Sequence, residues 1–239
     1  MAEGLKMEKL IRHIKFHLNF DPIRLQNDVA TILSDQWISH YNTNDYIGDW
    51  SSIALMSQGG KSDNIYALQR NDEAVLGTEV LDSCTYFKEI LDQFKFQKTA
   101  VRLLRLAAGA EIKPHKDHCL GYEDGCFRIH IPVITNPDVT FILDNKRLIM
   151  NEGECWYIDA NFTHSVNNRG KQDRIHLVID GIRNEWTDKL FFQHANANEF
   201  EKPIPKMTNE QIALMIQELE KMNTPIANQI IADLKKTNK

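Results

Sequence analysis

The chain has 239 residues, 42% of them hydrophobic, and a formal net charge of −5. That is room for one large domain with a buried core, or one domain with a small appendage. An acidic balance without a long basic run speaks against a nucleic-acid surface, and no apolar stretch is long enough to span a membrane.

The first residues, Met1-Ala2-Glu3-Gly4-Leu5-Lys6, carry no signal-peptide hydrophobic segment, so a cytoplasmic protein is expected. Ile14, Phe16, Leu18 and Phe20 alternate with polar residues, the pattern of a strand with one buried face. Asp21-Pro22 then opens a helix, with Asp at the cap and Pro at the first helical position. Ser51 to Ser57 predicts a second strand with Ile53 and Leu55 on one side. Thr85 to Phe94 predicts a helix with Phe87, Ile90, Leu91 and Phe94 turned inward.

From Val101 to Ile182 the texture changes to short β-rich runs, at 100–107, 111–116, 127–134, 138–143, 146–150, 154–159, 163–167 and 173–180. Gly109, Asn136-Pro137, Asp144-Asn145, Glu152-Gly153 and Asn168-Arg169-Gly170 punctuate them. Some eight strands at this spacing predict a sandwich or barrel, with the preceding helices on the outside of one sheet. After Trp186 the pattern weakens. Asn196 to Pro205 reads as a connecting loop. The capping box Thr208-Asn209-Glu210-Gln211 and the pair Thr224-Pro225 then start two helices. The expected organisation is a mainly β domain over 1–186, with its core at 100–182, and a helical hairpin over 187–239. The hairpin is a candidate homodimer contact, although core packing is the plainer use.

The chemistry centres on His115, Asp117, His164 and Arg174. Residues two apart on a strand share a face, so His115 and Asp117 point together into a barrel, and a barrel brings His164, several strands further on, opposite them. Two imidazoles and one carboxylate can hold Fe(II) on one face and leave the opposite positions open for a cosubstrate and O₂. Arg174, ten positions after the distal His, can grip the far carboxylate of 2-oxoglutarate with paired charge-assisted hydrogen bonds. Each piece alone has a plain structural meaning. Their order, their place on predicted strands and the short His-to-Arg spacing carry the joint reading.

Those residues and their surroundings give the stretch from Val101 to Asp180 a family look. Arg102-Leu103-Leu104-Arg105-Leu106, Pro114-His115-Lys116-Asp117, Arg128-Ile129-His130-Ile131-Pro132, Gly153 to Ala160, Thr163-His164-Ser165 and Arg174 to Asp180 carry it. The stretch resembles the aspartyl/asparaginyl β-hydroxylase branch of the Fe(II)/2-oxoglutarate dioxygenases, and within it the bacterial free-amino-acid hydroxylases that act on proline. The resemblance implies a double-stranded β-helix (a cupin-like jelly roll), with His115, Asp117 and His164 as iron ligands and Arg174 on 2-oxoglutarate. It also implies 2-oxoglutarate contacts for Arg128 and His130. Some members have Gly where this chain keeps Asp117, which places the chain nearer the free-amino-acid enzymes.

The expected activity is hydroxylation of an unactivated C–H bond of an amino acid, free or in a peptide, with Fe(II), 2-oxoglutarate and O₂. One alternative acts on aspartyl or asparaginyl residues of a polypeptide. Another is a non-catalytic binding module that retains the metal ligands. A zinc hydrolase on the same ligands is a third, but hydrolysis has no use for Arg174 as a carboxylate anchor. For the substrate, Arg105 is a candidate cation, the polar segment His118 to Cys126 a closing loop, and its Glu123 and Asp124 candidate partners of an ammonium. His176 and Trp156 read as core residues, and His118 as solvent-facing. Cys84, Cys119, Cys126 and Cys155 form no Cys-x-x-Cys pair and are expected as free thiols.

Overall fold

The computed structural model describes residues 10–67, 73–201 and 209–237. They divide into two compact units, 10–201 and 209–237.

The first unit begins with β1 (His13–Asn19) and α1 (Pro22–Ala30), whose N-cap Asp21 accepts from the amides of Ile23 and Arg24. Two very short strands, β2 (Ile38–Ser39) and β3 (Tyr46–Ile47), precede β4 (Trp50–Gln58). Then come β5 (Val75–Gly77), α2 (Glu79–Ser83) and α3 (Thr85–Gln93). Eight strands follow, each within two residues of its expected bounds. They are β6 (Lys98–Leu106), β7 (Glu111–His115), β8 (Cys126–Ile134), β9 (Val139–Leu143), β10 (Lys146–Leu148), β11 (Glu154–Ile158), β12 (His164–Asn168) and β13 (Arg174–Ile182). α4 (Glu185–Phe191) closes the unit's regular structure.

The large sheet has the order β1-β11-β8-β13-β6-β4-β2, with β5 paired to β4, and the small sheet the order β10-β9-β12-β7-β3. All pairs are antiparallel. From β6 to β13 the chain thus alternates between two four-stranded faces, β6-β13-β8-β11 and β7-β12-β9-β10, except at β9 and β10, which form a hairpin within the second. This is the double-stranded β-helix. The turn between β9 and β10 shows why the sequence folds back there. Asp144 and Asn145 both take positive φ (46° and 63°), the requirement of a two-residue hairpin of this twist.

Two apolar layers hold the unit together. Outside the large sheet, Ile53, Leu103, Ile129, Ile131, Leu177 and Ile179 pack with Leu25 of α1 and Phe87 and Ile90 of α3. Between the sheets, Trp50, Leu106, Ile112, Phe141, Leu143, Trp156 and Val166 form the barrel filling, so Trp156 is indeed a core residue. The compact unit continues past the expected boundary at residue 186. Phe191 stacks on Tyr122 at 3.7 Å and, with Phe200, is fully buried in the outer layer.

In the second unit α5 (Asn209–Met222) and α6 (Pro225–Thr237) pair as a hairpin around Ile212, Ala227 and Ile231. Thr224 caps α6 by accepting from the Ala227 amide at 3.2 Å. Thr208 of the predicted capping box lies outside the described residues. Among the described residues no helix is long and apolar enough to cross a membrane.

Candidate active site

His115 ends β7 and His164 begins β12, and the two are direct cross-strand partners with ring centroids 4.2 Å apart. Asp117 follows two residues later, its amide donating to the Ala160 carbonyl at 2.9 Å. The nearest ligand-type atoms of the three residues all lie within 4.8 Å of one another, the only such His/Cys/Asp/Glu group among the described residues.

The protonation pattern of the imidazoles follows from their partners. His115 Nδ1 meets the Lys113 carbonyl at 2.8 Å and His164 Nδ1 meets the Phe162 carbonyl at 3.0 Å. A carbonyl can only accept, so each Nδ1 is the donor, which leaves Nε2 as the atom each ring offers to a metal. Burial, with the neighbouring His115, pushes His164 down to about 4, so it is neutral at physiological pH. The carboxylate is shared out as well. Oδ1 of Asp117 lies 3.8 Å from His115 Nε2, while Oδ2 accepts from Arg128 Nη1. Burial opposes the charge on Asp117, but the Arg128 guanidinium, His164 and His115 together outweigh it and hold the carboxyl below its ordinary range. Two imidazoles that present Nε2 and a charged carboxylate fit a divalent iron.

These groups line one side of a cavity of about 320 Å³ between the sheets. Arg102, Arg128, His130 and Arg174 line the wall formed by the large sheet. Arg128 and Arg102 are already committed. Asp180, on the strand between theirs and 1% exposed, accepts from Arg128 Nε at 2.6 Å and Nη2 at 3.1 Å, and from Arg102 Nη2 at 2.7 Å. Arg174 differs. It is 2% exposed, and its Nη2 donates to His176 Nδ1 at 2.8 Å. Its Nε has no partner among the described residues, and no described carboxylate lies within ion-pair distance. Burial pushes it down to about 9, still protonated at neutral pH. A buried, charged, unpaired guanidinium fits the carboxylate of a bound anion. His130 also faces the cavity with Nδ1 lacking a partner, and burial followed by the charge of Arg174 lowers its pKa far below the ordinary value.

Three substrate expectations are corrected. Arg105 points out of the barrel, because Arg102 and Leu104 hold the inner parity of β6. Its guanidinium donates to Asp49 at 2.5 Å and lies 5.3 Å from the Trp37 ring. Glu123 and Asp124 do not line the cavity. They sit in a 3₁₀ turn where Asn161 Nδ2 donates to both, at 3.4 and 2.7 Å. The loop that carries them is anchored by Tyr122, fully buried, whose hydroxyl donates to Asp188 Oδ1 at 2.7 Å and lies 2.9 Å from Thr187 Oγ1. His118 is exposed, as expected, and with Leu120 of the same loop lines the cavity.

The mouth is built largely from residues that the sequence reading left without a role. His40, Tyr41, Asn42 and Asp45 come from the connection between β2 and β3, and the His40 ring stacks on Trp50 at 3.6 Å and 11°. Burial, then the charge of Arg102, lowers His40 to about 4. The clustering of His40, Tyr41, Tyr46 and Trp50 within eleven positions was the available signal.

A jelly roll with a His/Asp/His centre and a buried unpaired arginine defines the class, a cupin-like barrel equipped for metal and anion. The profile described as Aspartyl/Asparaginyl beta-hydroxylase matches residues 20–184, and the chain belongs to that family. L-proline cis-4-hydroxylase of Rhizobium meliloti (strain 1021) is 30% identical over 172 residues, 70% of this chain and 60% of that one. L-proline cis-3-hydroxylase 2 of a Streptomyces species is 26% identical over the same 70% of this chain and 59% of its own. The matched region thus spans about 60% of the length of these curated relatives. Among solved structures, a 2OG-Fe(II) oxygenase family oxidoreductase from Burkholderia pseudomallei is similar with a TM-score of 0.46 at 13% identity, over 68% of this chain and 79% of that one.

Proposed function

We propose that the chain is an Fe(II)/2-oxoglutarate-dependent hydroxylase of a small free amino acid. The observation that carries this is Arg174, a buried cation without a carboxylate partner in the same cavity as the His115/Asp117/His164 group. A metal-only binding module or a hydrolase gives no reason to keep that charge buried, whereas a dicarboxylate cosubstrate does.

His115, Asp117 and His164 would hold the iron, and Arg174 the distal carboxylate of 2-oxoglutarate. Bound there with O₂, iron and 2-oxoglutarate would supply the oxidising power for hydroxylation. The chain's own residues aim it. His130, neutral and facing the cavity, is available as a further contact to 2-oxoglutarate. Arg128 is occupied by Asp180 and Asp117, so its direct role is to orient the Asp117 carboxylate. Arg102 takes the place expected for Arg105, because it lines the cavity and its Nε has no partner among the described residues. It is the candidate for the substrate carboxylate. The stacked His40 and Trp50 give the substrate an apolar wall.

A cavity of about 320 Å³ favours a free amino acid over a polypeptide segment, and the named activity of the relatives makes L-proline the first compound to try. Cytoplasmic location belongs to the same reading and is supported by four free cysteines. A homodimer through α5 and α6 is supported by the exposed Leu214, Met222 and Ile226.

The test is succinate formation from 2-oxoglutarate with Fe(II) and ascorbate against pools of free L-amino acids. Strong stimulation by one pool is expected. Slow turnover that no amino acid stimulates moves the substrate to a peptide, and no turnover without iron-dependent 2-oxoglutarate binding overturns the oxygenase.

A further inference from the structure

Asp180 has no part in the reading so far except as a counter-ion, yet its position gives it a second task. It sits on β13 between β6 and β8, directly across from Arg128 in the strand register. Its two oxygens take Arg128 Nε and Nη2 together, and Oδ2 also takes Arg102 Nη2. Arg102 is itself braced by donating Nη1 to the Ile65 carbonyl at 3.2 Å.

A guanidinium has five N–H donors in a rigid fork and prefers to grip a carboxylate with two of them. Asp117 is the other carboxylate within reach of Arg128. Left to itself, that fork would close on both Asp117 oxygens. With Nε and Nη2 held by Asp180, only the Nη1 end reaches Asp117, and it takes Oδ2 alone. Oδ1 stays on the side of His115 Nε2.

We infer that Asp180 is a positioning residue for the metal centre: by occupying two donors of Arg128 it restricts that arginine to one oxygen of Asp117 and keeps the other oxygen free for the ion. The inference rests on the proposed metal site. It assigns Asp180 no contact with metal or substrate.

The experiment is titration of the purified apo chain with Co(II), following affinity and the visible absorption bands, in wild type, Asp180→Asn, and the double variant Arg102→Met/Asp180→Asn. The double variant removes one charge of each sign, so it tests position where the single variant leaves a buried positive charge unbalanced and risks unfolding. Both variants are expected to lose about 10- to 100-fold in Co(II) affinity, the usual range for groups that orient a metal ligand, and to show altered absorption bands. If Asp180 serves only to balance charge, the double variant binds Co(II) with wild-type affinity and spectrum, and the inference falls while the metal site stands. A wild-type chain that binds no Co(II) overturns the metal site and the inference with it.

Discussion

Arg128 and Arg174 lie on neighbouring strands of one sheet, face one cavity, and are almost equally buried, at 8% and 2% exposure. They differ in company. Arg128 has two carboxylates, and although burial lowers its pKa, Asp180 and Asp117 raise it further than burial can depress it. Arg174 has a histidine, an aromatic face 6.0 Å away and no carboxylate, and burial alone acts on it. A buried charge is costly unless it is paired. The fold therefore meets that cost internally at Arg128 and leaves it open at Arg174. The first arginine belongs to the scaffold of the site, the second is a receptor.

One substitution made at both positions puts the difference to the test, and it carries the largest expected effects. Arg128→Met strands Asp117, leaves Asp180 with Arg102 alone, and should lower stability by about 3–5 kcal/mol, the cost of breaking a buried pair from one side. Arg174→Met removes a charge that nothing pairs, so the melting temperature of the ligand-free protein should rise, by roughly 2–4 °C for each kcal/mol recovered. Adding 2-oxoglutarate to the metal-loaded proteins should then stabilise the wild type by mass action and leave Arg174→Met nearly unmoved. Thermal unfolding of the three proteins, with and without ligand, decides it. Equal destabilisation by both substitutions would show that Arg174 is scaffold too.

Much of this site was legible in the sequence, and the reasons are local. His-x-Asp on a strand gives a shared face by the period of two, and turn residues such as Asp144-Asn145 announce where β strands end. The eight barrel strands were legible for the same reason. The short elements β2, β3, β5, α2 and α4 were not, because two to seven residues leave too little periodicity to read. Arg105 was misplaced by one step of parity. Nothing in Arg102-Leu103-Leu104-Arg105 tells which arginine faces the cavity, and the register with β13 and β4 settles it. Asp180 was passed over because its meaning lies in lateral neighbours on β6 and β8, distant in sequence.

Asp159 is the mirror image of Arg174 and sharpens the comparison from the acidic side. It is wholly buried, Oδ2 has no hydrogen-bond partner among the described residues, and Oδ1 accepts from the Asn161 amide at 3.1 Å. Burial, then the charges of Glu123 and Asp124, raises it from the ordinary carboxylate range to about 7, with Arg12 opposing weakly. A carboxyl whose pKa is raised on folding favours the fold while protonated. That contribution is full below about pH 4 and is lost as pH rises towards 7. Denaturant unfolding at pH 4 and pH 8 should therefore show Asp159→Asn gaining stability over wild type at pH 8 and gaining little at pH 4. An equal effect at both would mean that Asp159 is charged throughout and held by a partner.

Arg105 gives the smallest effect and bounds the comparison. It is an arginine of the same strand as Arg102, turned outward, with Asp49 at 2.5 Å and Asp173 at 3.7 Å, and both carboxylates more than 40% exposed. Water competes for every one of these charges, so the pairs should contribute only about 0.2–1 kcal/mol. Arg105→Ala should consequently leave the KM for substrate and for 2-oxoglutarate within about twofold and the melting temperature nearly unchanged, some of that change coming from the lost contact with Trp37. Arg102→Ala, three positions away, breaks an ion pair buried at both ends and should cost several times more, about 3–5 kcal/mol. The ratio of the two effects measures the distance between the inner and outer faces of β6, and a reversal of that order would place the cavity on the other side of the sheet.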